Sequence, residues 1–151
     1  VKEDSASYPK RLEKANALRL RTLTASGDPA TIQGREREKE GKPMLLRHAD
    51  AVPVTVMPGL IRRTLAEGKA MMICEFSLEK DVEIPMHSHP HEQVGYVVSG
   101  SIRMTIGGKT FTMETGDSYF APAGVAHGVL VLKRAVVVDT FSPPREDYRV
   151  S

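Results

Sequence analysis

The sequence lacks tryptophan and contains a single cysteine, Cys74. One thiol cannot form a disulfide within the chain, which suits a reducing compartment, so we expect a cytoplasmic protein. Cys74 lies in the apolar segment 70–78, where a buried, unreactive thiol is the favoured interpretation. At 151 residues, the chain is long enough to bury one sizeable core without disulfides.

Long hydrophobic runs and a strong charge of one sign are also missing. The longest apolar stretches are short, as at 135–138, whereas a bilayer span needs about 20 apolar residues. No apolar stretch follows a basic start at the N-terminus, so we expect neither a membrane segment nor a secretory leader. The formal net charge is only +2, and the basic residues form no patch interleaved with aromatics. We therefore expect no nucleic-acid partner.

Residues 1–43 differ in character from the rest of the chain. They are polar, and the segment 35–42 is almost entirely charged, with alternating signs. The apolar spacing in 9–23 predicts a short amphipathic helix, which turn residues at 27–29 would end. We interpret 1–43 as a polar N-terminal arm, helical or irregular, with a solvated charged loop. The alternative is an arm that packs on a second subunit.

From residue 44 onward, short apolar segments alternate with glycine and proline. They predict strands at 52–57, 60–65, 70–78, 93–98, 101–106, 109–113, 118–121, 127–132 and 135–141. Within 101–106, Ile102, Met104 and Ile106 would share one face, and Ser101 would lie on the other with Arg103 and Thr105. The glycine pair 107–108 suits a tight hairpin. Many short strands at close spacing predict an all-β sandwich or barrel over 44–151.

Three of the five histidines, His87, His89 and His91, fall within five residues. Side chains two apart in an extended segment point the same way, so His87 and His89 would project together, and Gln93 keeps that parity. His127 lies in a separate apolar strand. Imidazole and carboxamide ligands on one barrel wall would form a site for zinc, iron, manganese or nickel. The alternative is that these histidines are surface residues of a loop.

The spacing of these residues carries a family resemblance. Three residues separate HSH at 87–89 from Gln93, and six more separate Gln93 from Gly100; a second block places His127 after glycines at 116 and 124 and a proline at 122. This pattern resembles the two motifs of the cupin superfamily, which are double-stranded β-helix, or jelly-roll, barrels. The resemblance implies a single cupin barrel with one divalent transition metal held by His87, His89, Gln93 and His127. It leaves His91 outside the ligand set, at the rim.

Gln93 stands where the cupin motif more often has glutamate. Three neutral imidazoles and a neutral amide would leave the full +2 charge on the metal. Such an ion favours Lewis-acid work on oxygen groups of a ligand. Oxygen chemistry is correspondingly disfavoured, because an anionic ligand would stabilise an oxidised metal better.

The C-terminal strand adds three candidate catalytic residues. Asp139 and Phe141 share a face of the predicted strand 135–141, where a buried carboxylate is costly unless it is paired or used. We predict that Asp139 is a general acid or base, that Phe141 is an aromatic wall, and that Arg145 grips an anionic substrate. The alternative is that Asp139 caps the strand end and Arg145 pairs with Glu146 on the surface.

A narrower resemblance covers about residues 45–150. The segments HSHPHEQ at 87–93 and DTFSPPREDY at 139–148 are similar to the KdgF-type pectin-degradation cupins. This similarity implies conversion of 4,5-unsaturated monouronates into linear 5-keto-4-deoxyuronate, with a small anionic sugar as substrate. We also expect a homodimer; the 43-residue arm is longer than the KdgF-type family usually has. The alternatives are a cupin dioxygenase or manganese cupin, and a non-catalytic sugar-binding module.

Overall fold

The computed structural model describes residues 45–149, which form eight β-strands and two 3-10 turns. The predicted helix at 9–23 and the arm 1–43 lie outside the described residues, so the domain boundary stays a prediction. The strands are β1 (Pro53–Met57), β2 (Leu60–Glu67), β3 (Met72–Leu78), β4 (Glu83–His87), β5 (Glu92–Ile106), β6 (Lys109–Glu114), β7 (Ser118–Ala121) and β8 (His127–Ser142). The turns are His48–Asp50 and Glu146–Tyr148. The prediction of an all-β fold is confirmed.

All the strand pairs are antiparallel, in the order β1-β2-β3-β8-β5-β6, with β4 also paired to β8 and β7 to β5. The two longest strands, β5 and β8, pair with each other along most of their length. Each also changes its second partner part-way along. β8 pairs with β4 in its first half and with β3 in its second half. This exchange rolls the sheet into a barrel, with the candidate residues of β4, β5, β7 and β8 on its inner wall.

Two predicted strand breaks are wrong. Segments 93–98 and 101–106 are parts of β5, and 127–132 and 135–141 are parts of β8. The register of β5 against β8 shifts between Val97 and Ile102, so the strand bends without ending. Gly100 lies in this bend with φ of +88°, and a β-carbon there would overlap the backbone at Arg134 and Ala135. The glycine therefore marks a bend and a close approach between strands rather than a turn.

Strand β4 was not predicted, because a proline interrupts its sequence EIPMH and its side chains are mostly exposed. The hairpin between β5 and β6 is confirmed, and both of its glycines, Gly107 and Gly108, have positive φ. Ile102 and Met104 are fully buried as predicted. Ser101 is buried too, contrary to expectation, because the register shift turns two successive side chains inward.

The core lies inside the barrel. All of its members come from β2, β3, β5, β6 and β8: Leu60, Met72, Cys74, Phe76, Leu78, Val97, Ile102, Met104, Met113, Val131, Ala135, Val137 and Phe141. Cys74 is fully buried, and burial raises the pKa of its thiol, which supports an unreactive side chain. Over residues 45–149, no helix has the length and apolar character needed to cross a membrane.

Candidate metal centre

Three histidines converge at one end of the barrel. His87 ends β4, His127 begins β8, and these two residues are partners in the β4–β8 register. His89 lies in the connection 88–91 between β4 and β5. One ring nitrogen from each of the three lies within 4.8 Å of the others. The predicted grouping of these imidazoles is therefore present, although His89 reaches it from a loop rather than from a strand.

Each of the three rings is oriented by a backbone carbonyl. The Nδ1 atoms of His87, His89 and His127 lie 2.9, 3.0 and 2.8 Å from the carbonyl oxygens of Pro85, His91 and Val125, respectively. A carbonyl only accepts hydrogen bonds, so each Nδ1–H must donate. In the neutral ring, the other nitrogen, Nε2, then carries a lone pair. The backbone thus fixes the tautomer that presents Nε2 as a ligand atom.

Gln93 lies beside these rings on β5 with its amide orientation determined by its neighbours. Its Nε2 lies 2.8 Å from Asp139 Oδ2 and 3.2 Å from the Tyr119 hydroxyl. The amide nitrogen thus faces Asp139, whose carboxylate only accepts hydrogen bonds when it is ionised. The amide oxygen, Oε1, then faces His89 and lies 3.1 Å from its Nε2.

This arrangement brings two acceptors, Gln93 Oε1 and His89 Nε2, to 3.1 Å of each other. Neither atom has a hydrogen to donate in the orientation that its other hydrogen bonds impose. Two ligand atoms about 2.1 Å from one ion, and at right angles, would lie about 3 Å apart. In addition, Nε2 of His127 is buried and has no hydrogen-bond partner within the described range 45–149. The side chains therefore fit a shared divalent cation, which would satisfy all of these lone pairs.

The electrostatic surroundings favour neutral imidazoles. Burial lowers the pKa of His89 and that of His127 below the ordinary histidine value. A neutral ring is the form that binds a metal. His91 is not one of the histidines whose ring nitrogens converge, and its buried Nδ1 has no hydrogen-bond partner among residues 45–149.

Asp139 is a buried carboxyl next to this group. It lies inside β8, with Oδ1 accepting a hydrogen bond of 2.6 Å from Tyr119 and Oδ2 accepting the bond from Gln93. Burial raises the pKa of Asp139 to about 7, and the two hydrogen bonds partly offset that rise. The interpretation of this residue as a strand cap is therefore wrong. A carboxyl group with a pKa near neutrality can be either protonated or ionised when the solution is near pH 7.

Sequence reasoning missed Tyr119, which completes this network. Tyr119 on β7 and Asp139 on β8 are both register partners of Gly95 on β5. A β-carbon at Gly95 would overlap the Tyr119 ring and the Asp139 carboxylate. The phenol therefore reaches across the glycine to the carboxyl group. The available signal was a glycine inside a predicted strand, which often marks a close approach of neighbouring groups.

The cavity beside the histidines also has aromatic and cationic side chains in its wall. A cavity of about 110 Å³ is lined by His87, Gln93, His127 and Asp139 together with Phe141, Arg145 and Tyr148, and apolar side chains form the rest of its wall. Arg145 lies 4.0 Å above the Tyr148 ring and donates from Nε and Nη2 to the two carboxylate oxygens of Asp147. Asp147, not Glu146, is therefore its partner. All seven predicted site residues are near one another, although His89 is not among those that line the cavity.

Comparison with known proteins agrees with the barrel fold. Residues 74–141 match the cupin domain. The pectin degradation protein KdgF of Dickeya dadantii (strain 3937) is 37% identical over 79 residues, which cover 52% of this chain and 72% of that protein.

Two solved structures are similar as well. The structure of KdgF from Halomonas sp. has 27% identity and a TM-score of 0.68, covering 72% of this chain and 100% of the other. An RmlC-like cupin from Shewanella frigidimarina NCIMB 400 has 30% identity and a TM-score of 0.69, covering 72% and 97%. The chain belongs to the cupin family and is a KdgF-like cupin.

Proposed function

We propose that this protein is a metal-dependent enzyme that converts 4,5-unsaturated monouronates into linear 5-keto-4-deoxyuronate in the breakdown of pectin or alginate. The observation that carries the proposal is the direct hydrogen bond between Asp139 and Gln93, whose oxygen faces the histidine group. It joins a buried proton-transfer group to the candidate metal centre. The similarity to the pectin degradation protein KdgF supports this choice of substrate.

The ligands of one divalent transition metal, such as nickel, zinc, manganese or iron, would be His87, His89, Gln93 and His127. When bound, the ion would supply a Lewis acid that polarises an oxygen of the substrate. Because all four ligands are neutral, the protein would leave the charge of the ion undiminished. The remaining chemistry depends on Asp139, Phe141 and Arg145.

Arg145 would bind the carboxylate of the substrate. Asp147 occupies the Nε and Nη2 edge of its guanidinium, and among residues 45–149 the Nη1 end has no hydrogen-bond partner, so it can donate to a ligand. The side chain is only 15% exposed, and it lines the cavity. An anionic group that entered the cavity would meet this free end in a weakly hydrated setting, where charge-assisted hydrogen bonds are strong.

Asp139 would move the proton. The substrate is a cyclic enol ether, and ring opening followed by enol-to-ketone tautomerisation requires a proton to move between oxygen and carbon. The carboxyl group of Asp139 borders the cavity, and each of its oxygens keeps a lone pair beyond the hydrogen bonds from Tyr119 and Gln93. Phe141 contacts both His89 and Tyr148 edge to face, and it would form the apolar surface against which the sugar ring lies.

The direct test is to measure metal content in the purified protein and then to incubate it with a 4,5-unsaturated monouronate. Loss of the ultraviolet absorbance of the substrate, dependent on metal, is the expected result. Oxygen consumption with bound iron would indicate a dioxygenase instead. Binding of the uronate without turnover would indicate a sugar-binding module.

The predicted homodimer remains a proposal, supported by exposed apolar side chains at Val94, Tyr96 and Phe120 on the outer face of β5 and β7.

Replacing Arg145 with lysine is expected to raise KM for the uronate about tenfold or more, with a smaller change in kcat. Lysine keeps the charge but loses the planar fork that can bind Asp147 and a carboxylate together. Steady-state kinetics measure both parameters, and Arg134→Lys, on an exposed side chain paired with Glu79, is the matched control. Kinetics equal to those of the wild type would return Arg145 to a surface ion pair with Asp147.

Replacing Gln93 with glutamate is expected to preserve metal binding and to lower turnover of the uronate about tenfold or more. Glutamate supplies an anionic ligand oxygen, which reduces the charge of the ion felt by the substrate. It also places a second carboxyl group against Asp139, where the amide donates a hydrogen bond in the wild type. Metal content and turnover can be measured on one preparation. Turnover that rises with glutamate would contradict this explanation of why glutamine occupies the position.

A further inference from the structure

We infer that Tyr119 is a positioning residue that holds the Gln93 amide with its oxygen toward the histidines and holds Asp139 in its place at the cavity. The inference rests on the metal centre proposed above, but it concerns a residue outside the ligand set. Its basis is the geometry of one hydroxyl group, which bridges the candidate ligand and the candidate acid or base.

The Tyr119 hydroxyl takes part in two hydrogen bonds with defined directions. It donates to Asp139 Oδ1 at 2.6 Å and accepts from Gln93 Nε2 at 3.2 Å. A hydroxyl has one hydrogen, so donation to the carboxylate leaves only acceptor capacity toward Gln93. Both partners are buried. The phenol therefore reinforces the one amide orientation in which nitrogen faces Asp139 and oxygen faces His89.

Without this hydroxyl, the amide would lose one of the two groups that distinguish its nitrogen from its oxygen. Asp139 alone would then hold Gln93, and the Oδ1 atom of Asp139 would lack a hydrogen-bond donor. A rotated amide would turn its nitrogen toward His89 Nε2, and an amide nitrogen is not a metal ligand. Loss of such outer hydrogen bonds typically costs 10–100-fold in metal affinity or activity. Tyr119 thus acts on the metal centre through Gln93.

The backbone around Tyr119 is built for this contact. Gly95 separates Tyr119 from Asp139 across three adjacent strands, and any larger residue there would block the bridge. Gln93 lies two residues before Gly95 on the same inward face of β5, where both are buried. The phenol is therefore held directly beside both partners. A phenol is protonated at neutral pH, so the hydroxyl retains the hydrogen that it donates to Asp139.

The test is a double-mutant cycle with the dissociation constant for Ni²⁺ as the readout, measured by competition with a chelator. Tyr119→Phe removes the hydroxyl and keeps the ring, and we expect a 10–100-fold weaker Ni²⁺ affinity. In a Gln93→Ala background, the same substitution should change the affinity less than threefold, because Tyr119 acts through Gln93. Thr112→Val, which removes a hydroxyl group from an exposed side chain of β6, is the matched control and should leave the affinity unchanged.

Each result separates the inference from the proposed function. If the wild type binds no Ni²⁺, Zn²⁺, Mn²⁺ or Fe²⁺, the metal centre itself is wrong, and the inference falls with it. If the wild type binds Ni²⁺ and Tyr119→Phe binds it equally well, only the inference is overturned. An equal loss of affinity in both backgrounds would also overturn it, because it would show an effect independent of Gln93. Circular dichroism spectra establish that each variant is folded.

Discussion

Replacing His87 and His89 together with alanine is expected to abolish metal binding while the barrel stays folded. The two rings supply half of the candidate ligands, and Gln93 and His127 alone would leave an ion with too few protein donors to compete with water. The core is formed by other residues, and His87 is exposed. Elemental analysis should therefore fall from about one metal per chain to none, whereas the β-type circular dichroism spectrum should persist.

The matched control for this double variant is His48→Ala. His48 lies in the first 3-10 turn, outside the histidine group, and its ring contacts Glu75 on the surface. Its replacement should leave the metal content unchanged. A double variant that keeps stoichiometric metal would show that the ion is bound elsewhere, and the ligand assignment would have to be abandoned.

Local patterns in the sequence predicted every strand except β4, and the family motif predicted the convergence of the histidines. Glycine and proline separate the apolar segments, and strand periodicity gives the inward side chains. A short connection joins the strand that ends at His87 to the strand that carries Gln93, so the spacing of HSH at 87–89 and Gln93 can be recognised in the sequence. Strand ends were harder, because the bends of β5 and β8 carry the same glycine and polar residues as true turns.

The Gln93 network could not be predicted, because its members lie far apart along the chain. Tyr119 is 26 residues and Asp139 is 46 residues from Gln93, and only the pairing of β5 with β7 and β8 brings them together. Sequence reasoning explained glutamine at position 93 by the charge that it leaves on a metal. The structure adds a second reason, because Gln93 donates to Asp139 and glutamate has no hydrogen to donate when ionised.

Arg145 shows the same limit at the other side of the cavity. The sequence left two partners open for the guanidinium of Arg145, an anionic substrate or the carboxylate of Glu146. In the structure, the 3-10 turn Glu146–Tyr148 brings Asp147 against the guanidinium and Tyr148 beneath it. The turn thus holds one edge of the Arg145 guanidinium and leaves the other edge available to a ligand. Neither of the two alternatives from the sequence included this division of the side chain.

Replacing Asp139 with asparagine is expected to lower kcat for the unsaturated uronate by about 10²–10⁴-fold, the usual contribution of a general acid or base. The amide has nearly the same size and cannot carry the proton at neutral pH. The network can accommodate it: its oxygen can accept from Gln93, and its nitrogen can donate to the Tyr119 hydroxyl, which accepts as readily as it donates. The barrel and the bound metal should therefore persist.

In this variant, KM should change little, because Arg145 and the histidines are intact, and that separation of kcat from KM distinguishes proton transfer from binding. Asp117→Asn is the matched control, since Asp117 accepts a hydrogen bond from the backbone of Glu114 at an exposed turn away from the cavity. Its kinetics should equal those of the wild type. If Asp139→Asn retains kcat within a factor of about three, with full metal content, then Asp139 only supports Gln93 and another group must transfer the proton.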